Sequence, residues 1–153
     1  MIVDDGAVTA LKMTRRRGFH DEKVAMMGGL DLFGECTPDE VGRLATISTE
    51  VPVAVGEVMC CQGGFESEFF VIVDGYADVD VDGVRVATLR RGDFFGEQAL
   101  LVNGARNASV TAISPMTVLV LNRGEFEAML VDAPHAAAAM LREISNRAKP
   151  ASE

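Results

Sequence analysis

Apolar and polar positions change their period along this chain, and each change marks an element. Residues 1–29 show weak periodicity and a basic triplet, Arg15–Arg16–Arg17, which predicts a solvated, partly helical tail. Gly28–Gly29 separates that tail from the rest of the chain. Thr37-Pro38-Asp39-Glu40 then combines a capping residue, a proline at the first helical position and a glutamate at the third. Val41, Leu44, Ala45 and Ile47 come next at helical spacing, so a short amphipathic helix is expected to end near Ser48–Thr49. Beyond it lie short β-branched or aromatic runs: Val51–Val55, Val58–Cys61, Phe69–Val73, Tyr76–Val81 and Val84–Leu89. Glycines and an Asp82–Gly83 hairpin signal punctuate them. Residues 77–82 alternate strictly, which directs their aspartates to water and their valines to the core. Ser109–Ile113 and Thr117–Leu121 are two later strands. Asn122 caps a helix with Glu125 three residues on, and Pro134 opens another whose stripe is Ala137, Met140, Leu141 and Ile144, ended by Pro150. The order is helix, about eight strands, two helices. Strands at this spacing predict a sandwich or barrel.

Composition narrows the class. At 153 residues, with 48% apolar and 24% charged residues, the chain is an ordinary globular domain with a sizeable core. Its 23 acids and 14 bases give a net charge of -9, which repels a phosphate backbone and argues against a nucleic-acid partner. A small anion can still be held by a local nest of donors. No apolar run is long enough to span a bilayer and no signal peptide is evident, so a cytoplasmic protein is expected. Cys36, Cys60 and Cys61 form an odd set without framework spacing, read as free, buried and inert thiols. His20 and His135 lie outside the strands, so a cupin-like metal enzyme lacks its histidine cluster. No nucleophile pairing is backed either. Neither catalysis, nor a metal, nor a cofactor is expected.

The segment from Phe94 to Val110 carries the candidate chemistry. Gly96 lets a backbone approach a ligand closely. Glu97–Leu101 are helix formers, so a short helix can begin at the glycine with its N–H groups turned toward an anion. Arg106 lies nine residues after Glu97, and its guanidinium fork suits phosphate oxygens. Glu97 cannot favour a phosphate but can accept from hydroxyls. One arginine and one hydroxyl-accepting carboxylate together call for a sugar phosphate.

With Phe95-Gly96-Glu97-Gln98-Ala99-Leu100 succeeded by Arg106-Asn107-Ala108-Ser109-Val110, the segment resembles the phosphate-binding cassette of the cyclic nucleotide-binding domain family. That family includes the bacterial catabolite activator protein and protein kinase A regulatory subunits. Leu30–Phe33, Gly56-Glu57-Val58, Gln62–Gly63, Phe69–Gly75 and Arg91–Gly96 resemble family landmarks in family order. The resemblance implies a mainly β fold with flanking helices: an eight-stranded antiparallel β-roll of jelly-roll type, with an N-terminal helix and two C-terminal helices. The domain would occupy residues 30–149, with a tail or helix at 1–29 and a C-terminal tail at 150–153. It implies a ligand-binding set of Phe95, Gly96, Glu97, Gln98, Ala99, Arg106, Asn107 and Ala108. Glu97 would accept from the ribose 2′-hydroxyl and Arg106 would pair with the exocyclic phosphate oxygens. Backbone N–H groups of Gly96, Ala99 and Asn107 would add donors. The last helix would close over the base, with Met140 and either Arg142 or Arg147 nearby.

Departures from the pattern matter as much. Ala105 stands where the family often has proline. Asn107 replaces the serine, threonine or alanine whose hydroxyl, where present, helps a guanine base; this leaves the choice between cAMP and cGMP open, with cAMP favoured as the commoner bacterial ligand of such domains. Gly64, Phe65 and Ser67 interrupt the acids that usually support the arginine, leaving Glu66 or Glu68 for that role. The residues between the last helix and Glu153 are too few for a helix-turn-helix, so no DNA-reading module is expected. The function implied is a cyclic nucleotide sensor that signals through its C-terminal helices to a protein partner or a second copy. The competing reading is an interaction module that keeps the fold without the ligand.

Overall fold

The structure is a computed structural model that describes residues 17–101 and 104–148. Arg15, Arg16 and Pro150 therefore lie outside the described residues. Helix α1 (Arg17–Gly28) ends at the predicted glycine break, and a 3-10 turn comes next at Asp31–Phe33. Helix α2 (Pro38–Ile47) opens with the full capping box: Thr37 Oγ1 accepts from the Glu40 N–H, and the Thr37 N–H donates to Glu40 Oε1. Its C-terminus is closed by a buried cation, because Lys23 Nζ donates to the Ala45 carbonyl at 2.7 Å and to the Ser48 carbonyl.

The strands are β1 (Thr49–Val53), β2 (Val58–Cys60), β3 (Phe69–Asp74), β4 (Ala77–Val81), β5 (Val84–Leu89), β6 (Phe94–Phe95), β7 (Ser109–Ala112) and β8 (Met116–Leu121). They make two antiparallel four-stranded sheets, β1-β8-β3-β6 and β2-β7-β4-β5. A short helix α3 (Glu97–Leu101) sits between β6 and β7; α4 (Arg123–Asp132) and α5 (Pro134–Ala148) close the chain. The eight-stranded antiparallel roll with flanking helices is thus the fold that forms. Among the described residues no helix is long and apolar enough to cross a membrane.

Strand β3 explains the layering. Phe69 to Val73 are all buried, because the β3 sheet is covered on both faces. Phe69, Val71 and Val73 pack with Leu119, Leu121, Phe126, Met129 and Met140 on the helical side. Phe70 and Ile72 pack with Val118, Val120, Val110 and Ala112 between the sheets. A run without alternation is what two covered faces require. Phe126 of α4 lies 5.0 Å from the Phe69 ring. Glu40 joins the first and last helices of the roll: it takes the backbone N–H of His135 and lies 2.8 Å from His135 Nδ1. The Thr37 backbone N–H, aided by His135, holds the Glu40 carboxyl low, at about 2.

Four expectations are corrected here. Strand β6 was not foreseen, because two residues are too few to show a period. In β4 the aspartates do not face water cleanly against buried valines: all of Asp78–Val81 are half-buried beside the edge strand β5, which is exposed along Val84–Thr88. Cys61 is exposed, while Cys60 is buried and Cys36 half-buried. Burial raises the Cys60 thiol to about 12 and the Cys36 thiol to about 11, so these two are inert at neutral pH. Met140 is fully buried in the helical core and does not line a ligand surface.

Phe126→Ala is expected to lower the unfolding free energy by about 3–5 kcal/mol in a denaturant titration, because it opens a cavity between α4 and β3.

Candidate functional site

The site is built where β6 ends. Phe70 pairs with Phe95 across β3 and β6, and their rings stack at 4.7 Å and 10°. This places Phe95, one of the predicted ligand-binding residues, in the core between the sheets directly before the turn. The chain then turns at Gly96, with φ of 93°. A Cβ there would stand 2.5 Å from the Glu68 carbonyl oxygen and 2.9 Å from Arg106 Nη1. Glycine is required both for the backbone angle and for the space. Helix α3 starts at the next residue.

Arg106 is fixed at backbone and side chain. Its N–H donates to the Gly64 carbonyl at 2.7 Å, and its carbonyl accepts from the Gly63 N–H at 2.8 Å. Its Nη1 donates to the Gly96 carbonyl and its Nη2 to the Glu68 carbonyl, both at 2.8 Å. The residue is only 5% exposed. Its Nε is buried and has no hydrogen-bond partner among the described residues. Of the two acids expected to support the arginine, Glu68 does so through its main-chain oxygen, which a reading of side-chain types cannot show. The Gly63–Gly64 pairing was missed for the same reason: the dipeptide signals a turn, not what the turn binds.

Glu97 is also 5% exposed. Its Oε1 is buried without a hydrogen-bond partner among the described residues. Arg147 of α5 places Nη1 3.8 Å from that oxygen, an ion-pair distance too long for a hydrogen bond. Burial pushes the Glu97 carboxyl above its ordinary range, against its own backbone N–H and the charges of Arg147 and Arg106. The site thus presents a buried acceptor on Glu97 and a buried donor on Arg106, both short of a partner. Buried polar groups ordinarily have one.

The remaining predicted residues lie around this pair. Asn107 and Gln98 are exposed, and Asn107 Nδ2 donates to Gln98 Oε1 at 2.9 Å, which ties the strand after the arginine to α3. Ala108 is half-buried ahead of β7, and Ala99 lies within α3. Of the helix residues expected nearby, Arg147 reaches the site and Arg142 does not. Arg147 Nη2 donates to the Phe94 carbonyl at 3.0 Å, and its guanidinium stands 4.4 Å over the Phe94 ring. Arg142 instead pairs with Glu35 at 2.6 Å.

The raised Glu97 pKa has a signed consequence. The folded state holds this proton more tightly than the unfolded chain. The cost of burying the charged carboxylate is therefore absent below the ordinary value of 4.5 and grows as pH rises through the folded value. Glu97→Gln is expected to be more stable than the parent at neutral pH, with the difference closing in acid below the ordinary carboxylate value. Paired denaturation curves at the two pH values measure this directly, since other titrations cancel between the variants.

Known proteins share this outline. A family model described as the cyclic nucleotide-binding domain matches residues 50–132. A cAMP-dependent protein kinase regulatory subunit from Blastocladiella emersonii is 34% identical over 113 residues, covering 71% of this chain and 28% of the relative. A cGMP-dependent protein kinase from Caenorhabditis briggsae is 30% identical over 129 residues, covering 78% of this chain and 17% of the relative. The chain thus spans less than a third of the length of either. Among solved structures, the Thermus thermophilus catabolite activator protein superposes with a TM-score of 0.68 at 25% identity, over 76% of this chain and 57% of that one. With more than half of its length matched by the family model, the chain belongs to the cyclic nucleotide-binding domain family.

Proposed function

We propose that this chain is a cyclic nucleotide receptor rather than an enzyme, and that cAMP, in preference to cGMP, binds between Gly96 and Arg106. The observation that carries the reading is the pair of buried, unpartnered atoms, Glu97 Oε1 and Arg106 Nε. A ribose 2′-hydroxyl donates to the first. An exocyclic phosphate oxygen accepts from the second and adds a charge-assisted contact to a cation that never titrates away. Backbone N–H groups of Gly96, Ala99 and Asn107 would complete the contacts to phosphate and sugar. The Asn107–Gln98 amide pair stands at the surface beside them, where it could meet the base.

The signal would run through Arg147. This residue touches Glu97 and Phe94 from the last helix, so a ligand that engages Glu97 alters what holds α5 in place. It can do so only by binding the two positions of that helix with different affinity. The output would be a changed surface on α4 and α5, offered to a protein partner or to a second copy in the cytoplasm. The regulatory and kinase proteins named among the relatives support such a role.

One observation favours the ligand-free interaction module: Arg106 already spends two of its donors on the Gly96 and Glu68 carbonyls. The two readings separate in calorimetry with cAMP and cGMP. Saturable heat is expected, together with a raised melting temperature. Arg106→Ala is expected to weaken binding by roughly 2–5 kcal/mol, the range for truncating one partner of a buried charge pair. Absence of heat and thermal shift at roughly millimolar ligand, a binding energy of only about 4 kcal/mol, would leave the module reading.

A further inference from the structure

Arg147 also lines a cleft to which neither Glu97 nor Arg106 contributes. The cleft has a volume of about 370 Å³ and opens between the 3-10 turn, the β5–β6 turn and the last turns of α5. That size suits a small molecule. Arg90, Arg91, Arg142 and Arg147 line it, with Leu32, Phe94 and Ala139 as its apolar contribution. Four of the chain's 14 bases thus meet in one cleft of a protein whose net charge is -9.

Three acids share the cleft, Asp31, Asp93 and Glu143. Asp93 is occupied by the turn, where its Oδ2 accepts from the Arg90 backbone N–H at 2.9 Å. Glu143 stands 3.9 Å from Arg147 on the same helix. Arg142 is held by Glu35, but both side chains are more than half exposed, so solvent screens that pair. Arg90 and Arg91 form no ion pair among the described residues. Two exposed guanidiniums at adjacent positions, with a third across the cleft on α5, make a set of forks that a single carboxylate cannot fill. Adjacent phosphates offer several acceptors to such forks.

We propose that this cleft is a second anion site, separate from the Gly96–Arg106 pocket, and that it takes a small ligand bearing two or more linked phosphate groups. Arg147 belongs to both sites: it lines the cleft and reaches Glu97.

Inorganic tripolyphosphate is the probe, titrated calorimetrically into the full chain in the absence of divalent cations. Saturable one-to-one binding is expected. The Arg90→Ala/Arg91→Ala double variant should weaken it by roughly tenfold or more, and Arg43→Ala, at an exposed arginine of α2 that does not line the cleft, should leave it unchanged. Arg90 and Arg91 are exposed, so the double variant leaves the core intact. Binding that persists in the double variant, or that is lost to the same extent in Arg43→Ala, would place the probe elsewhere and overturn the proposal. So would the absence of saturable heat. Because the probe contains no ribose or base, its result is independent of whether the other pocket binds a cyclic nucleotide.

Discussion

A buried guanidinium must be fully held or it destabilises the chain that buries it. Arg106 meets most of that demand with the loop that precedes β3 and the turn that follows β6. Gly63 and Gly64 lock its backbone, Glu68 gives a carbonyl from just before β3, and Gly96 gives another from just after β6. Much of the local architecture depends on these contacts. Strand β6 has to release the chain at Gly96 in a conformation that other residues rarely adopt. The Phe70–Phe95 stack anchors the strand immediately before that turn. What is left over from this arrangement is one donor, Nε, turned to no group of the described chain. A carboxylate oxygen of Glu97 shares that condition. The proposed binding site rests on this pair of buried leftovers more than on the motif that contains them.

In the proposed receptor, the helices would convert the site into something that can signal. Helix α5 is tied at its start by Glu40, which takes the His135 backbone N–H, and near its end by Arg147, which contacts Phe94 and Glu97. The first tie is structural and the second is adjacent to the site. A change at Glu97 therefore acts on the far end of a helix whose near end is fixed. Coupling of this kind is reciprocal: whatever binds the helices must alter affinity at the pocket by the same factor. The arginine-lined cleft, to which Arg147 also belongs, extends the same logic to a second ligand.

Much of this was legible in the sequence, for identifiable reasons. Capping boxes at Thr37 and Asn122 are local, so both helix starts were placed correctly. Long apolar runs such as Phe69–Val73 announce a strand whatever surrounds them. The Asp82–Gly83 turn has positive φ at both residues, as its composition demands. Other features depend on tertiary placement. The exposed β5 and half-buried β4 reflect the place of this hairpin at the edge of its sheet. Phe95 and Met140 are apolar residues near a site, and only packing decides whether they face a ligand or the core; here both face the core. The role of Glu68 is carried by a main-chain oxygen, which every residue possesses and no motif records. Arg147 was one of two arginines at similar positions on one helix, and only the orientation of α5 separates it from Arg142.

The most direct measurement is a crystal structure of the chain grown with cAMP. The nucleotide is expected against Gly96, with its 2′-hydroxyl within hydrogen-bond distance of Glu97 Oε1 and a phosphate oxygen within that distance of Arg106 Nε. A nucleotide bound elsewhere, or bound here with those two atoms still unpartnered, would contradict the assignment of this site.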